Sequence, residues 1–122
     1  MAIPFTTFST PGNFGYGLVE YHSLAVGADG TLYIFGYVDN ASSHLFSWAP
    51  GASAWTDHGA SGITGRVKVL QFDGVGGTGT LWALVTPNLI YSITLAGVAT
   101  LAWSTYLRPG SFGHYYMAVI PL

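Results

Sequence analysis

The residues of this 122-residue chain that offer chemistry are few: four tryptophans, four histidines and five carboxylates. Trp48, Trp55, Trp82 and Trp103, with eight tyrosines, present flat rings that can stack on the C–H faces of sugars. Neutral groups nearby, Asn40 and His44 foremost, offer hydrogen bonds to hydroxyls. The competing use of the same rings is packing, because aromatic side chains bury most of their area in cores. Trp48 and Trp55 lead as ligand-binding candidates because both flank the Pro50-Gly51 turn. His22, His44, His58 and His114 lack the i, i+2 or i, i+4 spacing of a ligand set, and no carboxylate cluster accompanies them, so no metal site is expected. Asp57-His58 sits among serines without a nucleophile elbow, and triads are defined by geometry rather than by neighbours. No catalytic residue and no cofactor are expected. The glycine-rich run 74–79 lacks both a lysine and a following helix, and reads as a hairpin rather than a phosphate loop.

The elements that must position these residues read as short strands separated by turns. Residues 14–26 alternate as a strand, and Asp29-Gly30 supplies the positive φ that a tight hairpin needs. Residues 31–38 are rich in β-branched and aromatic side chains. Residues 44–48 and 54–58 follow as a third and a short fourth strand, with 59–65 as a link. A second unit begins at Arg66 and places strands at 66–72, 80–86, 89–95 and 100–106. No segment combines helical periodicity with helix-forming composition. The expected fold is all-β, one domain over residues 1–122. It comprises an extended arm (1–13), two imperfect four-stranded antiparallel meanders (20–62 and 66–108) and a terminal strand (113–122). A β-sandwich or jelly roll is the alternative.

The two units echo one another at a spacing of about 45 to 49 residues. Thr31-Leu32-Tyr33-Ile34-Phe35 matches Thr80-Leu81-Trp82-Ala83-Leu84, Leu45-Phe46-Ser47 matches Ile90-Tyr91-Ser92, and Ala54-Trp55-Thr56 matches Ala102-Trp103-Ser104. In the first unit, Ala25-Val26-Gly27-Ala28-Asp29-Gly30-Thr31-Leu32-Tyr33, then Leu45-Phe46-Ser47-Trp48, then Trp55, resembles the tectonin and tachylectin-type β-propeller repeat. The second unit keeps Gly79-Thr80-Leu81-Trp82, Tyr91 and Trp103 of that pattern. The resemblance covers residues 20–106 and implies propeller blades and glycan binding. Two blades do not close a propeller, which typically takes four or more, so oligomerisation would have to complete a ring.

Composition bears on partners. Charged residues make up 7% of the chain, against roughly 25% in an ordinary soluble protein. Three basic residues give no electrostatic footprint for nucleic acid. No apolar run is long enough for a membrane-spanning helix, and the N-terminal residues carry no basic region leading into an apolar run, so no signal peptide is expected. The expectation is a non-enzymatic, self-assembling structural protein of a large assembly, a capsid decoration or tail-type protein of a virion surface. Its partners would be further copies of itself and other subunits. The alternative is a soluble tectonin-like lectin. The localisation that follows is a virion or extracellular surface, and otherwise the cytoplasm. The residues expected to dock or exchange between subunits are Met1, Ile3, Phe5 and Phe8 at one end and Met117, Val119, Ile120 and Leu122 at the other.

Overall fold

The computed structural model describes residues 11–85 and 89–103. The arm and terminal residues expected to mediate assembly, Met1, Ile3, Phe5, Phe8, Met117, Val119, Ile120 and Leu122, lie outside the described residues, as does the expected strand 113–122. Among the described residues eight strands follow one another: β1 (Val19–Val26), β2 (Leu32–Val38), β3 (Ser42–Trp48), β4 (Thr56–Ile63), β5 (Val67–Phe72), β6 (Leu81–Val85), β7 (Leu89–Ile93) and β8 (Ala99–Trp103). Each pairs antiparallel with its sequence neighbour, giving two sheets in the orders β1-β2-β3-β4 and β5-β6-β7-β8. The protein is all-β, two four-stranded meanders that are not closed into a barrel. Every connection within a sheet is a hairpin between neighbours, unlike the crossed connections of a jelly roll.

The turns follow from local chemistry. Between β1 and β2, the Asp29 carboxylate accepts the Thr31 N–H at 2.9 Å while Gly30 takes φ 88°. Between β2 and β3, Asp39 and Asn40 both adopt positive φ, 50° and 54°, and the Ala41 N–H closes the turn on the Val38 carbonyl at 2.9 Å. That is the twist-matched hairpin turn that Asn and Asp tolerate. Two sequence expectations are corrected. Residues 14–18 precede the strand rather than belonging to it, because Phe14 and Gly15 turn at positive φ. The expected link 59–65 is mostly strand: β4 runs on to Ile63, and its irregular pairing with β3 falls where Gly59 and Gly62 take positive φ.

Register places the units in correspondence. Ala25 faces Tyr33 as Gln71 faces Trp82, and Ser47 faces both Tyr33 and Thr56 as Ser92 faces Trp82 and Thr100. Thr31 to Phe35 therefore corresponds to Thr80 to Leu84, as the sequence echo predicts. The match of Trp55 to Trp103 does not hold. Thr56 corresponds to Thr100, so Trp103 lies four residues too far along, opposite Ile90.

Alternation along the strands gives each sheet two faces. We call front the face that carries Tyr33, Phe35 and Leu45 in the first unit, and Trp82, Leu84 and Ile90 at the matching positions of the second. The first sheet's front (Ala25, Tyr33, Phe35, Leu45, Ile63) packs against the second sheet's back (Val67, Leu70, Phe72, Leu81, Ala83, Val85, Ile93) in one continuous core. The units thus stack front to back. The inner strands β1 and β5 lie against each other, and the outer strands β4 and β8 touch far less. The first sheet's own back holds a second cluster of Val38, Phe46, Trp48 and Trp55 with Val19, Tyr21, Leu32 and Ile34 beside it. Residues 14–18 cross part of this back. There Phe14 meets Phe46 at 5.0 Å between centroids, and the Leu18 N–H donates to Asp39 at 2.8 Å.

Candidate functional site

Three side-chain groups carry the chemistry seen in the sequence. The first is the Trp48–Trp55 pair. A turn over residues 49–52, with Pro50 setting φ and Gly51 at φ 79°, closes with the Ala52 N–H on the Ala49 carbonyl at 3.0 Å. It brings the indoles together edge to face, 5.6 Å apart. Both are buried, at 8% and 9% exposure, and belong to the back cluster of the first sheet.

Trp82 and Trp103 form the second group. They lie on the second sheet's front with centroids 5.5 Å apart at 38°, and Trp103 is 55% exposed. Asp73 fixes the Trp82 ring: one carboxylate oxygen accepts the indole N–H at 3.0 Å, and the other accepts the Thr80 N–H at 2.8 Å. These two bonds, the indole first, hold the Asp73 carboxyl below its ordinary range. The arrangement is an aromatic corner with one open ring. Sequence reasoning found both tryptophans but not Asp73, which lies nine positions from Trp82 and becomes its partner only through the β5–β6 hairpin.

The third group is Tyr16, His44 and Asp57 on the back of the first sheet. The Tyr16 hydroxyl donates to Asp57 at 2.6 Å, and His44 Nδ1 lies 3.1 Å from the other carboxylate oxygen, which also accepts the Gly59 N–H at 2.8 Å. Burial pushes the Asp57 carboxyl up, but Tyr16, Gly59 and His44 together hold it below its ordinary value. His44 stacks on Phe46 and sits edge-on to Tyr16, so the dyad is enclosed by rings. The nearest serine in sequence, Ser43, points to the opposite face and donates to the Gly65 carbonyl. The group pins residues 14–18 to the sheet. Asn40, in the β2–β3 turn, stands at the other end of β3 from Trp48, about 20 Å away along the strand.

Comparison with protein-family models, curated proteins and solved structures returned no match to this chain.

The acid groups set a pH dependence. Glu20, held low first by its hydrogen bond to Arg66, joins Asp29, Asp57 and Asp73 in having a folded pKa below its ordinary value. A depressed carboxyl contributes stability that is complete above its unfolded pKa and is lost as pH falls through the folded one. With unfolded values of 3.8 for the aspartates and 4.5 for Glu20, the melting temperature is expected to stay level from pH 7 to about 5 and to drop below about pH 4. Thermal melts across that range check this. A melting temperature that rises on acidification contradicts the assigned bonds.

Proposed function

We propose that the protein is a non-enzymatic, self-assembling structural subunit of a large assembly, of the capsid-decoration or tail-type kind found on virion surfaces. The observation that carries this reading is that sheet faces outside the shared core remain apolar. Leu24 and Val26 on the first sheet's back are 54% and 49% exposed, Leu18, just before the opposite end of β1, is also exposed, and Trp103 opens the second sheet's front. With 7% charged residues there are few charges to break up such surfaces. Contiguous apolar patches beyond a few hundred Å² mark interaction sites on soluble proteins.

A second reading, a lectin, draws on the Trp82–Trp103 corner and on the resemblance to tectonin repeats. Sedimentation velocity and native mass spectrometry on the full chain, beside a glycan array, separate the two. Concentration-independent oligomers without glycan signal support the structural subunit. A monomer whose glycan binding falls at least tenfold in Trp103→Ala, with an unchanged melt, supports the lectin.

A further inference from the structure

We infer that β8 is an open strand edge on which a second copy of this chain pairs its own β8, antiparallel and about a two-fold axis through Thr100. The inference rests on the self-assembly reading above and names one contact that builds the assembly.

The edges of the two sheets are not alike. A meander leaves one side of its first and last strands unpaired, so the edges are those of β1, β4, β5 and β8. Such edges recruit further strands, and proteins blunt them with bulges and charges. β1 carries Glu20 and is interrupted at Ser23, which takes φ 60° between the paired residues His22 and Leu24. β5 has its irregularity at Lys68, and the two strands lie against each other. β4 bears Asp57 and loses register with β3 where Gly59 and Gly62 take positive φ. In β8, by contrast, residues 99–101 pair in unbroken register with Ile93, Ser92 and Tyr91. The sequence holds no charged residue from 74 to 107. Thr100 on the front and Leu101 on the back are both exposed, so among the described residues neither face of this stretch is covered.

The hairpin sets which groups the edge offers. The Thr94 N–H donates to the Val98 carbonyl at 2.9 Å, which makes these two a hydrogen-bonded pair. Alternation along an antiparallel ladder makes Ser92 and Thr100 the next such pair. The N–H and C=O groups of Ala99 and Leu101 therefore point away from β7. Among the described residues no hydrogen bond reaches them.

This edge fits its own sequence. With the axis through Thr100, Ala99 of each copy faces Leu101 of the other, and each such pair exchanges two main-chain hydrogen bonds. Every outward group of residues 99–101 is then used. On the back the large Leu101 meets the small Ala99. On the front Thr100 meets itself, a favourable cross-strand pair. Identical strands usually bring like charges together, and here there are none to meet. Hydrogen bonds, side-chain size and charge thus all match a second copy, and the pairing joins two second sheets into one.

The test uses the absence of cysteine in the sequence. Thr100→Cys places the only thiol on the axis. Opposed residues of a non-hydrogen-bonded pair have Cα atoms about 4.5 Å apart, within disulfide range. Mild oxidation is expected to yield a covalent dimer about tenfold faster than with Thr56→Cys, the exposed counterpart on β4. Leu101→Pro removes an outward N–H and no bond to β7, a place where an edge strand tolerates proline. It is expected to shift sedimentation of the full chain towards monomer while the melt stays within a few degrees. Leu101→Lys, at an exposed position, is expected to do the same by charge. Thr100→Cys that links no faster than Thr56→Cys overturns the contact. Oligomers that persist in both Leu101 variants also overturn it and leave self-assembly through other surfaces standing. A parent chain that is monomeric at all concentrations overturns both readings. A monomeric parent whose melt falls steeply in Leu101→Pro shows, further, that the edge is paired within its own chain.

Discussion

Truncating Phe35 to alanine is expected to destabilise the protein by about 3–5 kcal/mol, the usual cost of removing a buried phenylalanine ring. Phe35 is 1% exposed and sits in β2 at the middle of the core that both sheets share. The lost transfer free energy is compounded by the cavity, which Leu45 across the strand pair and the second sheet's back can fill only by moving whole strands. Stability of a domain this size is about 5–15 kcal/mol, so the variant keeps a small fraction of it or none. The same core predicts that the two sheets unfold together. Trp48 and Trp55 report on the first sheet and Trp82 and Trp103 on the second, so tryptophan emission and far-ultraviolet circular dichroism are expected to follow one urea transition. Two separated transitions, or a Phe35→Ala cost below about 1 kcal/mol, would show that the sheets do not depend on each other.

The second large effect is expected at Gly36. A Cβ there would fall 2.7 Å from the Phe46 ring, 2.8 Å from Val19 Cγ1 and 3.0 Å from the Tyr21 ring. Phe46 is fully buried and boxed in by Phe14 and Tyr21, so it has nowhere to retreat. Tyr21 is held by a hydrogen bond from its hydroxyl to the Gly12 carbonyl, and burial pushes its pKa up to about 12. Gly36→Ala is therefore expected to cost about 1–3 kcal/mol through overpacking, although alanine in a strand interior ordinarily gains about 0.5–1 kcal/mol over glycine. Urea titrations of the two proteins read the difference directly. A neutral or stabilising Gly36→Ala would mean that residues 12–16 do not press the back cluster closed. Phe46→Ala made in the Gly36→Ala background then gives the pairwise coupling, which is expected to be favourable because the smaller side chain relieves the clash.

Much of this was legible in the chain. Strand positions were readable wherever alternation and turn chemistry agreed, as at Asp29-Gly30 before β2 and the glycine-rich run 74–79 before β6. The unit boundary was harder, because Gly59 and Gly62 look like loop residues when they are in fact places where β4 departs from regular pairing. Residues 14–18 alternate like a strand, yet the tyrosine among them is drawn across the back of the sheet by Asp57, 41 positions away. Long-range polar pairs of that kind leave no local signal. The tryptophans show the same limit. Trp55 and Trp103 occupy like places in the sequence echo, but Trp55 comes just before β4 while Trp103 ends β8, four residues further along in register, and one ring is buried and the other open.

Front-to-back stacking has a bearing on how chains of this design can lengthen. A unit whose front fits the back of its own duplicate is preadapted to tandem copying in the gene. Each added copy arrives with a face of the receiving kind and presents another, so growth needs no new type of interface. Face-to-face sheets offer no such path, since a third sheet would meet an outer surface shaped for water. Exact copies would set like charges together at the position where the units carry Glu20 and Arg66, so their opposite signs mark one divergence that such growth rewards: a substitution that teaches one copy to tell its neighbour from itself.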